Sequence, residues 1–428
     1  MARFQSPKSL ERLKRFKHLW HRISIVRLVQ DAIIVIVSLQ AITVIVLDIL
    51  AMLRGRHKHE VHFPHLQLDE VKVDENYLQL YGYGQYLYAA MLDAIDNAQE
   101  SIYLESFIWK GDAFGQELKM HLARKAQQGV AVYVIFDGFG NLVVRRSFKS
   151  FPPSIHKLEY QPIRSPWHIF DPRRYALDHR KMLVVDGTTG FIGGYNLGSL
   201  YATQWRDTHL RIRGPAAADL AHAFASFWNR SFPENKAITR HYTRKFDPFI
   251  TVRSNDAVRL TFPIRDMYIE AIDRAEHTIL LTNAYFVPDH ILLDALKAAA
   301  ARGVDVRVLI PWYSNHIVVD WLTHGYITEC LEAGIRILGY QYAMLHAKTC
   351  TIDGQWVTLG TANLDRLSSI GNYEINVEIF NAELACQMEE LFKSDTTDVF
   401  ELTLDEWKRR PWYTKLSERI LAPLRFLL

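Results

Sequence analysis

The chain has 428 residues, of which 49% are hydrophobic and 23% are charged, and its net charge at pH 7 is only +3. A chain of this length can hold two or three domains with large cores. The small net charge excludes a polybasic nucleic-acid-binding protein. The three cysteines, Cys330, Cys350 and Cys386, form no C-x-x-C pair, which argues against a disulfide framework or a zinc knuckle. Cys350 lies in a strand-like run and is predicted to be a small buried hydrophobe.

The N-terminal part of the chain carries a membrane signal. Residues 1–22 contain seven Lys or Arg and a single acid, Glu11, and residues 32–53 form a 22-residue segment interrupted by few polar side chains. About 20 apolar residues span a bilayer core, so we predict a membrane-anchoring helix here, with a buried or surface-lying helix as the alternative. A cleaved signal peptide fits less well, because the apolar run starts late and no small-residue cleavage site follows.

The orientation of this helix is predicted from the basic residues on its two sides. They are denser before the segment than after it, where Arg54, Arg56 and Lys58 follow. The positive-inside rule therefore places the N-terminus in the cytoplasm and the rest of the chain outside. Because both flanks are basic, a helix that dips into the membrane and returns, leaving the body in the cytoplasm, remains the alternative.

The body of the chain consists of two similar halves, each predicted to run helix, strand, helix, strand. Gly129 and Gly303 each follow the second helix of their half and suit a C-terminal cap. Alternating helices and strands predict an α/β fold in which a sheet is covered by helices on both sides. The similar segments are residues 94–109 with 271–286, and residues 122–137 with 298–311. The predicted regions are a basic N-terminus and anchor (1–60), a first half (61–240), a second half (241–400) and a C-terminal tail (401–428).

One set of polar residues occurs twice in the body at identical intervals. In each copy His and Lys are two residues apart, Lys and Asp five, Asp and Asn ten, and Asn and a final acid eleven. Packing alone does not explain such a doubled set, which indicates one active site assembled from two similar halves. The first copy is His179, Lys181, Asp186, Asn196 and Asp207, and the second is His346, Lys348, Asp353, Asn363 and Glu374.

Each copy is predicted to form a β-hairpin. Residues 181–186 and 348–353 are strand-like and end in Asp-Gly, which is a turn signal, and a second strand follows each turn. His179 and Lys181 are two residues apart, so their side chains are expected on one face of the strand. Asn196, just beyond the return strand, can come back beside them.

Two histidines, two lysines and two asparagines suit the chemistry of a phosphodiester. The phosphate-binding candidates Lys181, Asn196, Lys348 and Asn363 can hold the non-bridging oxygens and stabilise added charge in the transition state. One histidine can attack phosphorus, and the other can protonate the leaving alkoxide and then deprotonate the incoming alcohol or water.

The acids of the two copies are expected to have different tasks. A histidine nucleophile must be neutral and in the correct tautomer, which a carboxylate on the other ring nitrogen ensures. Asp207 and Glu374, each 28 residues after the histidine of its own copy, are the candidates for this orienting role. Asp186 and Asp353 belong to the predicted catalytic set, but they are expected to fix the hairpins rather than touch the substrate. The residue spacing suits no metal ion, so no metal or other cofactor is expected.

These residues identify a family. The two segments, 179–196 and 346–363, match the signature H-x-K-x4-D-x6-G-[GST]-x-N of the phospholipase D superfamily. The segments 105–118, 191–198, 205–216, 283–289 and 360–380 resemble its bacterial cardiolipin synthase subgroup. The resemblance covers roughly residues 75–415.

This resemblance implies a pseudo-dimer of two α/β halves whose motifs meet in a shared cleft. It also implies a two-step reaction through a phosphohistidine, in which two phosphatidylglycerol molecules give cardiolipin and glycerol at a bacterial cell (inner) membrane. His179 would be the nucleophile and His346 the general acid and base. Within the superfamily, hydrolysis of phospholipids, a metal-independent nuclease and a non-catalytic membrane scaffold are the alternatives.

Two further segments suit an anionic lipid surface. The insert before the first motif mixes basic and aromatic side chains, which favours a membrane, although single-stranded nucleic acid or a solvated loop would also fit. Residues 407–428 are basic, aromatic and interrupted by two prolines, so they suit an interfacial helix or one packed on the core. The insert residues are Arg145, Arg146, Lys149, Lys157, Arg164, Arg173 and Arg174 with Phe148, Phe151, Trp167, Phe170 and Tyr175.

Overall fold

The computed structural model describes most of the body of the chain and part of the N-terminal helix. The described residues are 29–31, 34–35, 37–46, 49, 61–163, 167, 171, 175–231, 237–397 and 399–423. The basic residues 1–22, nine residues of the predicted anchor 32–53, and Arg164, Phe170, Arg173 and Arg174 of the insert lie outside this description.

The first half forms an eight-stranded mixed sheet with the strand order β1-β2-β9-β7-β6-β3-β4-β5. Strands β3, β4 and β5 are parallel, and β6, β7 and β9 pair in antiparallel fashion. Its elements are β1 (Val71–Val73), β2 (Asn76–Tyr81), α2 (Gly84–Asn97), β3 (Ser101–Ser106), α3 (Ala113–Gln127), β4 (Ala131–Asp137), β5 (Ile155–Tyr160), β6 (Met182–Val185), β7 (Thr189–Gly193), α4 (Ser199–Thr203), β8 (Trp205–Arg206), β9 (His209–Arg213) and α5 (Ala217–Ser231), with α1 (residues 37–46) preceding them.

The second half repeats this plan with the order β10-β17-β16-β15-β11-β12-β13-β18. Its elements are β10 (Ile250–Asn255), α6 (Pro263–Arg274), β11 (Thr278–Asn283), α7 (His290–Ala301), β12 (Asp305–Pro311), α8 (Ile317–Glu332), β13 (Arg336–Tyr340), β14 (Met344–Leu345), β15 (Lys348–Ile352), β16 (Trp356–Gly360), α9 (Arg366–Ile370), β17 (Glu374–Phe380), α10 (Ala382–Asp395), β18 (Phe400–Glu401), α11 (Leu404–Lys408) and α12 (Trp412–Leu421).

Both faces of each sheet are covered by helices, as the alternation of strands and helices predicts. In β6, Leu183 and Val185 belong to the hydrophobic cluster that also holds residues of α2 and α3. Met182 and Val184 point to the other face and join the cluster that includes α5. Side chains alternate across a strand, so one short strand serves two cores. The predicted fold of two homologous α-β-α halves is therefore confirmed.

The two halves share one hydrophobic core. The cluster around Leu210 and Ile192 of the first sheet also contains Val357, Leu359 and Ile375 of the second sheet. All five side chains are completely buried. Because burial of apolar surface stabilises both halves at once, the halves form a continuous body rather than two domains joined by a linker.

The hairpins and helix caps follow the sequence signals. Asp186 and Gly187 both have positive φ, +52° and +66°, and the equivalent pair in the second half has +53° and +61°. This is the geometry of a type I′ turn, which favours Asp-Gly. Gly129 and Gly303 have φ near +94° and +93°, as expected for residues just beyond a helix C-terminus.

Helix α1 contacts the body through only part of its surface. The Gln40 amide donates a hydrogen bond to the carbonyl oxygen of Ile420 at 3.2 Å, and Val44 packs against a small cluster that contains Leu421. The side chains of Val37, Leu39, Ile42, Ile45 and Val46 are 46–58% exposed. Over the residues described, none of the helices has the combined length and apolarity that crossing a membrane requires.

The C-terminal tail packs on the second half with one face and exposes the other. Trp407 is buried and donates from its indole to the Thr328 hydroxyl at 3.0 Å. Leu421 is buried beside α8, whereas the side chains of Trp412 and Tyr413 are exposed. One face of α12 thus packs on the core, as the second alternative expects, and the interfacial alternative stays a prediction.

Candidate active site

The two predicted motifs lie together at the junction of the halves, and backbone hydrogen bonds hold them there. The His179 N–H donates to the carbonyl oxygen of Tyr373 at 3.0 Å, and the His346 N–H donates to that of Arg206 at 2.7 Å. Strands β8 and β14, one from each half, pair in parallel beside the second of these bonds. Each histidine is therefore attached to the residue that immediately precedes the predicted orienting acid of the other half.

The orienting carboxylates are crossed between the halves. The imidazole Nδ1 of His179 lies 2.9 and 3.0 Å from the two carboxylate oxygens of Glu374. Nδ1 of His346 lies 2.6 Å from Oδ2 of Asp207. A carboxylate on Nδ1 holds the proton there and leaves Nε2 unprotonated for chemistry. The structure thus brings Asp207 and Glu374 to histidine rings as predicted, but each serves the histidine of the opposite half.

One position of the motif, occupied by Gly194 in the first half and Thr361 in the second, contacts the orienting acid of the same half. At Gly194 an added Cβ would lie only 2.1 Å from a carboxylate oxygen of Asp207, so glycine is required for the close approach of this acid. The equivalent residue of the second half is Thr361, whose hydroxyl donates to Glu374 at 2.5 Å. The [GST] position of the signature is the sequence signal for this contact, although spacing alone does not reveal it.

The two motif lysines are buried close to the histidines. Lys181 and Lys348 are 2% and 1% exposed, and each ammonium donates to the carbonyl oxygen of the histidine two residues earlier. Burial lowers the pKa of Lys181 to about 7, and the charge of Lys348 adds to this effect. Burial likewise lowers the pKa of Lys348 to about 8. A bound phosphate would place negative charge beside the two ammonium groups and so favour their protonated form.

Burial favours the neutral form of both histidines. Burial lowers the pKa of His179, and burial together with the charges of Lys348 and Lys181 lowers the pKa of His346 well below its ordinary value. Burial raises the pKa of Asp207 to about 6. A neutral imidazole is the form that can attack phosphorus or accept a proton, so burial prepares both rings for these roles.

The two motif asparagines are not equivalent. The side-chain oxygen of Asn196 accepts the N–H of Ile108 at 3.2 Å. The side-chain oxygen of Asn363 is buried and has no hydrogen-bond partner among the described residues, and Asn363 lines the cavity that also contains His179. An unpaired buried amide beside a cavity is available to a ligand, so Asn363 is the better placed of the two to contact a phosphate.

Asp186 and Asp353 bind backbone N–H groups at the start of a neighbouring strand, away from the histidines. Asp186 accepts three backbone N–H bonds, at 2.7–2.8 Å, from residues 99–101 at the start of β3. Asp353 accepts three equivalent bonds from residues 276–278 at the start of β11. Each aspartate lies at the far end of its strand, about 16 Å from the motif lysine, since a strand advances about 3.3 Å per residue.

A cavity of about 680 Å³ opens beside His179. Its polar lining includes Asn363 and His316, and much of the remaining wall is apolar, including Phe107 and Val318. The side chain of His179 is 12% exposed, compared with 5% for His346. The first histidine is therefore the more accessible of the two from this cavity.

Sequence spacing did not single out the aromatic rings that pack on the histidines. The Phe107 ring lies 4.9 Å from the His179 ring, and the rings of Trp205 and Tyr285 lie 5.0 and 6.1 Å from the His346 ring. Phe107 directly follows β3, and Tyr285 lies two residues beyond β11. Their places just after two equivalent strands are the signal that could have found them.

Comparison with known proteins agrees with this geometry. The family described as "Cardiolipin synthase, PLD-like domain" matches residues 91–228 and 268–396. The chain belongs to this family. It is 30% identical over 388 residues to a cardiolipin synthase of Listeria monocytogenes, covering 86% of this chain and 80% of that protein. It is also 30% identical over 379 residues to the major cardiolipin synthase of Bacillus subtilis, covering 83% and 76%.

Solved structures share the fold of this member of the cardiolipin synthase family. Phosphatidylserine synthase from Haemophilus influenzae superposes with a TM-score of 0.62 at 14% identity, over 86% of this chain and 95% of that one. Polyphosphate kinase from Porphyromonas gingivalis gives a TM-score of 0.51 at 13% identity, over 85% and 57%. At such identities the likeness concerns the fold alone.

The basic-aromatic insert of this family member is partly a packed element, in contrast to the prediction of a membrane-facing loop. Phe148 is buried and Phe151 packs beside it in the core of the first half, with the Lys119 ammonium over both rings. Lys149 pairs with Glu159 at 2.9 Å. Farther along the insert, the side chain of Trp167 is 78% exposed.

In this cardiolipin synthase family member, we expect kcat/KM to depend on pH with two limbs. It should fall below about pH 6 as Asp207 becomes protonated and no longer holds His346 in its tautomer. It should also fall above about pH 7–8 as Lys181 and Lys348 lose their charge. Lys181→Arg should move the alkaline limb upward, because arginine stays protonated. A pH–rate profile of both proteins checks this, and an unmoved alkaline limb would assign that limb to another group.

Proposed function

We propose that this protein is a cardiolipin synthase, which transfers a phosphatidyl group between two phosphatidylglycerol molecules and releases glycerol. The observation that carries the proposal is the pair of crossed histidine–carboxylate contacts beside two buried lysines. Two imidazoles prepared in this way suit a reaction in which one ring carries the phosphoryl group and the other moves a proton. The names of the relatives support cardiolipin as the product.

In the first step, Nε2 of His179 attacks phosphorus of the first phosphatidylglycerol. A bond forms between nitrogen and phosphorus, and the bond between phosphorus and the headgroup glycerol oxygen breaks. The negative charge of the bound phosphodiester favours the imidazolium form of His346. This ring therefore enters the step protonated at Nε2 and donates that proton to the leaving alkoxide, so glycerol departs as a neutral alcohol and His346 is left neutral. The Lys181 and Lys348 ammonium groups and the Asn363 amide bind the non-bridging oxygens, where negative charge increases in the transition state.

In the second step the nitrogen–phosphorus bond breaks and His346 accepts a proton. A headgroup hydroxyl of the second phosphatidylglycerol loses its proton to His346 and attacks phosphorus. The nitrogen–phosphorus bond breaks, which restores His179 and gives cardiolipin. Throughout the cycle Glu374 and Asp207 keep the two rings in their tautomers and stabilise the imidazolium form when it occurs.

Incubation of the purified full-length protein with labelled phosphatidylglycerol tests this function. We expect equal amounts of cardiolipin and glycerol, together with an acid-labile, base-stable phosphohistidine. If water were the acceptor, phosphatidic acid would replace cardiolipin and the protein would be a phospholipase D. Degradation of plasmid DNA without phospholipid turnover would instead indicate a nuclease.

We also propose that residues 32–53 and the exposed face of α12 associate the enzyme with the bacterial cell membrane. The exposed aliphatic side chains of α1 and the exposed Trp412 and Tyr413 support this location, because contiguous apolar surface is unfavourable in water. Basic residues in the N-terminal 22 positions would add attraction to anionic lipids. Co-sedimentation with phosphatidylglycerol vesicles at high salt tests it, and full-length protein that stayed in the supernatant would contradict it.

A further inference from the structure

Helix α8 breaks the internal repeat beside the active site. In the second half it connects β12 to β13. In the first half the equivalent connection, from β4 to β5, consists of residues 138–154, all of which the structure describes and which contain turns but no helix. The chemistry is shared by both halves, whereas α8 belongs to one of them. Because only the second half has this helix, we expect α8 to serve a function beyond the chemistry that the two halves share.

Apolar side chains of α8 point in several directions and pack on different neighbours. Ile327 and Cys330 are buried in the core of the second half. Trp321 and Tyr326 pack with the cluster that includes Leu421 of α12. The first turns of α8 pack on this small cluster as well, and they also line the cavity.

Apolar side chains of α8 form one wall of the catalytic cavity. Ile317, Val318 and Leu322 line it, together with Leu367 of the second half and Phe139 of the first. His179 and Asn363 line the same cavity. A ligand that reaches from these polar groups to the α8 wall must therefore carry a phosphate and a substantial apolar part. A glycerol phosphate headgroup alone would leave that wall in contact with water, which is unfavourable.

The wall of α8 is also continuous with the segments that expose apolar surface. Val287 and Leu322 line the cavity and belong to the small cluster that receives Val44 of α1 and Leu421 of α12. The apolar wall of the cavity thus packs on the same aliphatic cluster as α1, whose other apolar side chains are exposed.

We propose that the α8 wall is the subsite for the diacylglycerol part of the phospholipid whose phosphodiester lies at His179. The proposal rests on the proposed function, because it takes a phospholipid as substrate. The two lysines supply the charge that the phosphate requires, and Ile317, Val318 and Leu322 supply apolar contact for the acyl chains. The donor lipid therefore lies over the second half, although the histidine it faces comes from the first.

Val318→Trp in the full-length protein tests this subsite. The indole would fill part of the cavity and take room that the acyl chains need. We expect the ratio of kcat/KM for dioleoyl- over dihexanoyl-phosphatidylglycerol to fall about ten-fold. Val318→Ala removes part of the apolar contact without filling the cavity, so it should lower the ratio by a smaller factor. Met120→Trp, which places the same ring on exposed α3, should leave the ratio unchanged.

Rates are measured as total phospholipid consumed, so that cardiolipin and phosphatidic acid both count. If the wild-type protein makes phosphatidic acid instead of cardiolipin, the proposed function fails while the subsite is still tested. An unchanged ratio in Val318→Trp, with a thermal unfolding midpoint like that of the wild type, would overturn the subsite. So would an equal loss with both substrates. If Val318→Trp does not fold, an unchanged ratio in Val318→Ala would overturn the subsite.

Discussion

Replacement of either His179 or His346 by alanine is expected to abolish almost all turnover, with a loss of about 10⁵-fold in kcat, and the double variant should lose little more. The two rings act in series on one phosphorus, so removal of either stops the same cycle, and such losses are strongly non-additive. The measurement is the initial rate of phosphatidylglycerol consumption by the three variants and the wild type.

His241→Ala is the matched control for the histidine variants, because this histidine is exposed and lies outside both motifs. Its rate should equal that of the wild type. Losses of His179→Ala and His346→Ala that multiplied in the double variant would indicate two independent sites. That outcome would contradict the shared site described above.

If the carboxylates are crossed, each acid variant should show the burst kinetics of the variant of the histidine that it contacts. With a phospholipid that carries a p-nitrophenyl headgroup, the leaving group needs no proton. His346→Ala should then release a burst of nitrophenol and stall as phosphohistidine, and His179→Ala should give no burst. Because Asp207 contacts His346 and Glu374 contacts His179, Asp207→Asn should retain the burst and Glu374→Gln should weaken it.

Both acid variants should lower steady-state turnover by about 10³–10⁴-fold, which is the effect of neutralising the orienting acid of a catalytic triad. Stopped-flow measurement of nitrophenol separates the burst from the steady state. If each acid served the histidine of its own half, the pattern would be exchanged, with the burst lost in Asp207→Asn and kept in Glu374→Gln. Circular dichroism of the variants would confirm that the fold is intact.

The sequence predicted the local features of this site because their causes are local. A type I′ turn requires positive φ at both central residues, which favours the Asp-Gly pairs at 186–187 and 353–354. Alternating strands and helices favour a sheet with a layer of helices on each face. The pattern therefore predicted hairpins, caps and two α/β halves. It also predicted that Cys350 would be buried, and this side chain is completely buried in the core of the second half.

The sequence could not predict how the halves exchange their acids. Asp207 and Glu374 stand at the same interval from the histidine of their own copy, so the interval is equally consistent with direct and crossed contacts. The choice depends on how two sheets pack on a shared core, which is a long-range property. The cavity wall was missed for a similar reason, since α8 has no repeat partner and its apolar pattern resembles that of any buried helix.

The crossed contacts also determine when the protein can first be active. His179 is joined to a residue 195 positions later, and His346 to a residue 139 positions earlier. During synthesis the first half emerges from the ribosome before residue 374 exists, so His179 has no carboxylate while that half folds. A chain interrupted before this point would have one complete sheet and an unoriented histidine. Competence to cleave lipid therefore arises late in synthesis, after the second sheet has docked on the first.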